Sequence, residues 1–300
     1  MKQVFSLARR REGYSPLCRI EFSLPGFLPD RSRGRAGPAC GASSGFSLVE
    51  LSIVLVILGL LTGGILTGQN LIRAAELRSV VTEFQSHQTA VQSFRDKYFA
   101  IPGDMRNASD FWGYPGGNAA NCPATAGTGT ETCNGNGDGV LNSGSANQYG
   151  EHYLFWQHMA NAGLVEGNYT GRVGSGGSYA SVPGTNVPAS KLGNAGWTAD
   201  NDASNGNSSM YTVAYGNVLK FGGVMSGGTT QAAILTPEEA WGIDKKVDDG
   251  LPARGKLIAR YWNNACAAAD DGSSANDDLN ASYRLTDKSV QCALIFRQLF

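Results

Sequence analysis

Residues 46–68, FSLVELSIVLVILGLLTGGILTG, are 23 positions with a single charge, Glu50. A run of this length and composition spans a bilayer as a helix. It is longer than the apolar part of a secretory signal peptide, and no A-x-A cleavage pattern closes it. No proline interrupts residues 46–101. Past the run, LIRAAELRSVVTEFQSHQTAVQSFRDKYF repeats Leu77, Phe84, Val91 and Tyr98 every seven residues, and Val80, His87 and Phe94 follow three behind. That spacing puts an apolar stripe on one side of a helix. One helix over 46–100 is expected, ~80 Å long at 1.5 Å per residue. Its first half (46–68) is apolar all round. Its second half has one apolar face, which must lie against a folded head. Glu50 needs a special reason, because an acid at the centre of a spanning helix costs ~2.5–3.5 kcal/mol.

Charge is distributed unevenly around this run. Residues 1–45 carry a net +5, the remaining 255 residues a net −6. A basic segment ahead of an apolar one is held on the cytoplasmic side. The acidic remainder disfavours nucleic acid as a partner, since phosphate binding needs clustered Lys and Arg. Glycine is frequent, 40 of 300, and Asn, Ser, Thr and Ala crowd the chain after residue 100. A loop-rich head displayed outside the cytoplasm fits that composition.

Cys18 and Cys40 precede the run; Cys122, Cys133, Cys266 and Cys292 follow it. With no C-x-x-C and only His87, His152 and His158 as histidines, a zinc site is disfavoured. Two disulfides in an oxidising compartment are expected. Three pairings are open, and the local one, Cys122–Cys133 with Cys266–Cys292, is favoured.

Pro102-Gly103 ends the long helix. Residues 151–163 read as a short helix ending at Gly163, and 167–208 as a long polar surface excursion of low complexity. Residues 210–223 alternate around Gly216-Asn217, a hairpin signal; 231–236, 256–262 and 290–296 are further strands. Thr236, Pro237 and Glu239 form a capping box opening a helix to about Val247, with Gly250 past its end. The expected fold class is α+β: a long N-terminal helix packed on an antiparallel-sheet head with loop insertions.

G-F-S-L-V-E at residues 45–50, followed by about twenty apolar residues, resembles the cleavage and methylation site of type IV pilins and type II secretion pseudopilins. The likeness covers residues 45–100. It implies that a prepilin peptidase removes the leader 1–45 by cutting between Gly45 and Phe46, that Phe46 is N-methylated, and that Glu50, the fifth mature residue, serves assembly. It also implies an inner-membrane, single-pass protein with a periplasmic head, polymerised with other pilin or pseudopilin subunits by an inner-membrane platform. A head of this size suits a minor subunit, and an adhesin or DNA-uptake module on a pilin stalk is the alternative. The 45-residue leader is long for the family and ends Ala42-Ser43-Ser44-Gly45 where Lys or Arg is usual. Gly59, Gly63, Gly64 and Gly68 form two overlaid G-x-x-x-G spacings, suited to close helix contact or to a weak point in the helix, or reflecting simply the ordinary frequency of glycine in membrane helices.

Candidate chemistry is sparse. CNGNGDGVLNSGS (133–145) sets Asn134, Asn136 and Asp138 two apart, like the start of a calcium loop. It has Ser145 where such a loop wants glutamate, so Glu151 or a distant acid would have to join. No cofactor is required; the ligand count favours a plain Gly-rich turn here, with calcium as the alternative. Asp244, Asp248 and Asp249 form a second acidic group; Asp270, Asp271, Asp277 and Asp278 form a third; both read as solvated loops. His152 and His158 point about 120° apart on a helix and cannot pair on a metal. His87 reads as a contact to the head. G-A-S-S-G (41–45) matches a hydrolase elbow only by chance, since no strand precedes it. No catalytic set assembles, and the chain is read as a structural subunit rather than an enzyme.

Overall fold

The structure, a computed structural model, describes residues 45–122, 129–142, 150–174, 180–202, 210–226, 228–260, 265–268 and 278–297. Residues 1–44, with Cys18 and Cys40, lie outside them, so of the expected leader 1–45 only Gly45 is described.

The chain divides into a unit ending at Val56 and a second running Ile57–Phe300. In the first, Gly45–Ser47 are exposed and non-helical, and the helix α1 (Leu48–Tyr98) begins. Its large apolar side chains are exposed from Leu48 through Val56 and on to Ile72. The segment is long and apolar enough to cross a membrane. The glycines at 59, 63, 64 and 68 face open space.

In the second unit the stripe works as the spacing predicts. Val80, Phe84, His87, Ala90, Val91 and Phe94 of α1 are buried. The helix stops at Tyr98, four residues before Pro102, with Phe99 in the left-handed region at φ 51°. The stripe covers one face of an antiparallel sheet: β1 (Ala195–Asp202), β2 (Gly216–Val224), β7 (Leu294–Phe296) and β4 (Leu257–Ala259), in that order, with β3 (Thr230–Ala232) also on β2. Register aligns Trp197 with Phe221 and Leu294, and Ala199 with Leu219, Phe296 and Leu257. Side chains alternate between faces along a strand, so these residues share the face toward α1. Phe84 stacks on Phe296 at 4.3 Å, and His87 meets the edges of Trp156 and Trp197. The opposite face (Val218, Ile258, Ile295) is closed by Met210, Tyr211, Tyr215, Ala253, Ala267 and Ala281. Ala267–Ala268 (β5) and Ser282–Tyr283 (β6) pair as a small separate ribbon.

Two polar clamps fix α1 to this layer. Arg73 donates to both carboxylate oxygens of Glu239 at 2.6 and 2.8 Å and to the Ile234 carbonyl. Glu83 accepts from Trp197 Nε1 and the Lys191 amide. Glu239 is available because the capping box forms as expected, Thr236 and Glu239 closing the start of α4 (Pro237–Val247). The residues 151–163 give α3 (Glu151–Asn161), with Gly163 beyond it at φ 73°. A short α2 (Ala108–Trp112) leaves Trp112 half-buried and Phe111 exposed. Disulfides join Cys122 to Cys133 and Cys266 to Cys292, with Cα separations of 5.5 and 5.0 Å.

Two expectations are corrected. The stretch 167–208 is not a surface excursion: its described part supplies β1, and Tyr169, Val187, Leu192 and Trp197 in it are buried. The hairpin at Gly216-Asn217 does not form. Gly216 opens β2, whose partner is β1, with Asp202 opposite Gly216. Residues 210–215 instead turn their aromatics under the far face.

Candidate functional site

The motif at 45–50 sits at the helix boundary. The Gly45–Phe46 bond lies in exposed, non-helical backbone, the condition under which a peptidase can take a chain into extended form. Glu50 has a local role that the sequence reading missed. Its Oε2 accepts from the Ser47 amide at 3.0 Å, while Ser47 Oγ accepts from the Val49 amide at 3.3 Å. This is a reciprocal N-cap; the signal was S-x-x-E at positions 47–50. Ser47 and Glu50 both lie beyond the Gly45–Phe46 bond, so a cut there would leave the cap in place.

The loop 133–142 separates the three proposed ligands. Asn134 is committed elsewhere: its Oδ1 accepts from the Ser109 amide, and its Nδ2 donates to Tyr114 Oη. Asn136 folds onto Asp138, which accepts from its Nδ2 and from Asn142 Nδ2 through Oδ2 and from the Val140 amide through Oδ1. Those hydrogen bonds, the Val140 amide foremost, hold the Asp138 carboxyl below its ordinary range. Asp138 does gather two acids, Asp104 and Glu151, with a carboxylate oxygen of each within 4.8 Å of the others. Glu151 was named as a candidate; Asp104, thirty-four residues upstream of Asp138, left no local signal.

Donor chemistry tells what this cluster does. Asp104 accepts the amides of Gly137, Asp138 and Gly139. Glu151 accepts those of Asn136 and Asn142. The loop's outer carbonyls, Asn136 and Gly137, are taken by the Arg106 guanidinium. A calcium loop turns oxygens inward; this one turns N–H groups inward onto three carboxylates. Burial, aided by the charges of Asp104 and Asp138, raises the Glu151 pKa. The fit to calcium is therefore poor. Gly103 sets the approach: at φ 84° it packs so closely that a Cβ there would strike the Glu151 carbonyl. The expected outcome is that neither chelator nor millimolar calcium moves the thermal midpoint by more than about a degree. A rise with calcium that Glu151→Gln abolishes would show instead that Asp104, Asp138 and Glu151 hold the ion.

The histidines are structural in their surroundings. His158 Nδ1 accepts from the Gly103 amide, and its Nε2 faces Thr132 Oγ1 and the Cys133 carbonyl. Nε2 donates to that carbonyl and so carries the proton. Burial pushes His158 and His87 down to about 4, and lowers His152. In the second acidic group Asp244 is fully buried, accepting from Tyr283 Oη at 2.8 Å and the Gly250 amide. Asp244 thus departs from the expected solvated loop, which holds for exposed Asp249, and burial, with Asp249 and Asp248 nearby, raises Asp244 to about 7. Of the third group, Asp270, Asp271 and Asp277 lie outside the described residues; Asp278 caps the Asn280 amide.

Comparison with known protein families, curated proteins and solved structures finds no match to this chain.

Proposed function

We propose that the chain is a pilin-like structural subunit, processed between Gly45 and Phe46, held in the inner membrane with its head in the periplasm, and polymerised into a type IV pilus or a type II secretion pseudopilus. The observation that carries this reading is the juxtaposition of G-F-S-L-V-E with a 51-residue helix whose apolar start is exposed on all sides and whose stripe from Val80 to Phe94 is buried in a head. An exposed apolar girth of that length needs lipid or neighbouring helices to cover it. The work is mechanical, without substrate turnover. Partners are a prepilin peptidase, further subunits and the assembly platform. Nucleic acid is not expected.

Glu50 is the residue on which assembly depends. After cleavage Phe46 bears a terminal amine four residues away, one helical turn on the same face. A carboxylate paired with that amine, in its own or an adjacent subunit, escapes most of the cost of burial, whereas an unpaired one does not. A subunit docked out of register is thereby penalised. The reciprocal cap gives Glu50 a competing role, and Glu50→Gln separates the two, because glutamine keeps the cap but not the charge.

Two measurements test the reading. Intact mass of membrane-extracted protein is expected to begin at an N-methylated Phe46; a retained leader or another cut overturns it. Glu50→Gln and Glu50→Ala are both expected to be processed and inserted normally yet to yield at least tenfold fewer sheared filaments. Normal filaments from Glu50→Gln would assign Glu50 to the cap alone.

A second reading, a surface-binding module on a pilin stalk, is favoured by one feature. An open groove of about 890 Å³ runs between α1, from Leu71 to His87, and the loops 164–169 and 184–191. Loss of filaments on deletion of the protein supports the first reading; intact filaments that have lost surface binding support the second.

A further inference from the structure

Lys220 stands in the middle of β2, only 4% exposed. Its Nζ lies 2.7 Å from Asp200 Oδ2 and 3.0 Å from Asp202 Oδ2. Register explains the meeting. Thr198 is opposite Lys220, and Asp200 and Asp202 are opposite Val218 and Gly216, so both acids lie along β1 on the face Lys220 occupies. That face is the one closed by Tyr211, Tyr215, Ile258 and Ile295, and Asp200 is itself 8% exposed. Two acids hold the proton on Lys220 while burial works against its charge; burial raises Asp202, and Arg260 is near enough to oppose that rise. Four buried or half-buried charges in one place are expensive to keep. Joining Lys220 to Asp200 would remove two of them and leave Asp202 matched with Arg260.

We infer that Lys220 and Asp200 are a self-condensing pair, linked in the mature fold by an amide between Lys220 Nζ and Asp200 Cγ. Proton transfer along the 2.7 Å hydrogen bond turns ammonium and carboxylate into amine and carboxylic acid. The amine lone pair then forms the bond to Cγ. Asp202, in contact with Nζ, takes the surplus N–H proton and passes it to the departing hydroxyl, which leaves as water. Asp202 ends as it began. Ammonium plus carboxylate yields amide plus one water, with no oxidant or co-reactant. Exclusion of solvent favours the condensed side. The bond would join positions 20 apart in sequence and tie β1, which among the described strands of the sheet pairs with β2 alone, to that neighbour.

The test is made on the full-length wild-type chain, extracted in detergent, reduced, alkylated and digested. The expected result is a peptide pair joined through Asp200 and Lys220, lighter than its two parts by the mass of one water, in most molecules. Recovery of the two peptides separately, at full mass, overturns the proposal and leaves a buried ion pair. Asp202→Asn is expected to fold, as judged by unchanged circular dichroism, yet to lose the linkage at least tenfold. Full linkage in that variant would remove Asp202 from the reaction. Lys220→Met should give no linked pair at all, and a linked product there would show that the mass loss arises elsewhere.

Discussion

Replacing Trp197 by alanine is expected to cost the folded head about 4 kcal/mol, the range for emptying a fully buried aromatic site. The side chain is inaccessible and packs on Phe221 at 4.7 Å and Phe296 at 5.3 Å between ring centres. It also touches His87 of α1 and donates through Nε1 to Glu83 at 2.8 Å. Alanine removes the packing and leaves one lone-pair direction of a half-buried carboxylate without its donor. Trp197→Phe isolates the second loss and should cost about 1–2 kcal/mol, much of it from the missing donor. Urea denaturation followed by the remaining tryptophans checks both values. An alanine variant within about 1 kcal/mol of wild type would mean that α1 is not held on the sheet through this ring.

Acidification from pH 7 to 5 is expected to cost about 4 kcal/mol through His87 and His158 together, once an opposing group is removed. Both histidines titrate near 4 in the folded chain because burial disfavours their charge, against about 6.5 when unfolded. As pH falls through 6.5 the unfolded chain takes up protons that the folded chain refuses, so stability drops, and the drop levels off only below 4. Asp244 runs the other way. Held near 7 by burial, it keeps its proton in the folded state where the unfolded acid has lost it. Its contribution is full below the unfolded value and is lost as pH rises through 7. Wild type should therefore lose only about 1–2 kcal/mol between pH 7 and 5. Asp244→Asn, a neutral copy of the protonated acid, should be more stable than wild type at pH 8 by roughly 2–4 kcal/mol and should then fall steeply toward pH 5. Tyr283 can rotate its hydroxyl to accept from the new amide. Equal slopes for the two proteins would show that Asp244 is ionised throughout.

Trp197 also marks where the sequence was hardest to read. Its strand, AGWTADND, has one large apolar residue among small and polar ones. Local composition therefore resembled the loops around it. Only the partner strand shows why it is buried, and that partner is fixed by tertiary pairing rather than by spacing. The same cause misplaced the hairpin at Gly216-Asn217: the turn residues were right for a turn, but the sheet offered β2 a better-matched neighbour. Features set within a few residues were legible. The stripe on α1, the Thr236–Glu239 capping box and the end of α3 before Gly163 all follow from short-range geometry. At the candidate sites the division is the same. Asp138 and Glu151 were visible in and beside the loop, while Asp104 joins them from across the fold, and Asn134 is drawn away by Ser109 and Tyr114.

The position of β7 has a consequence in time. It follows every other described strand in the chain, yet it lies between β2 and β4, and its Phe296 is the ring stacked on Phe84. β4 begins 159 and β7 196 residues after the end of the helix they cover, which makes closure slow relative to local structure. Until β7 arrives, β2 and β4 have a gap between them and Phe84 of α1 lacks its stacking partner, a state open to wrong associations. A growing chain thus completes the described sheet only after Leu294–Phe296 has been made and has crossed between its neighbours. Synthesis order itself then acts as a checkpoint: a nascent chain stalled before Leu294 has its long helix but a sheet still open between β2 and β4.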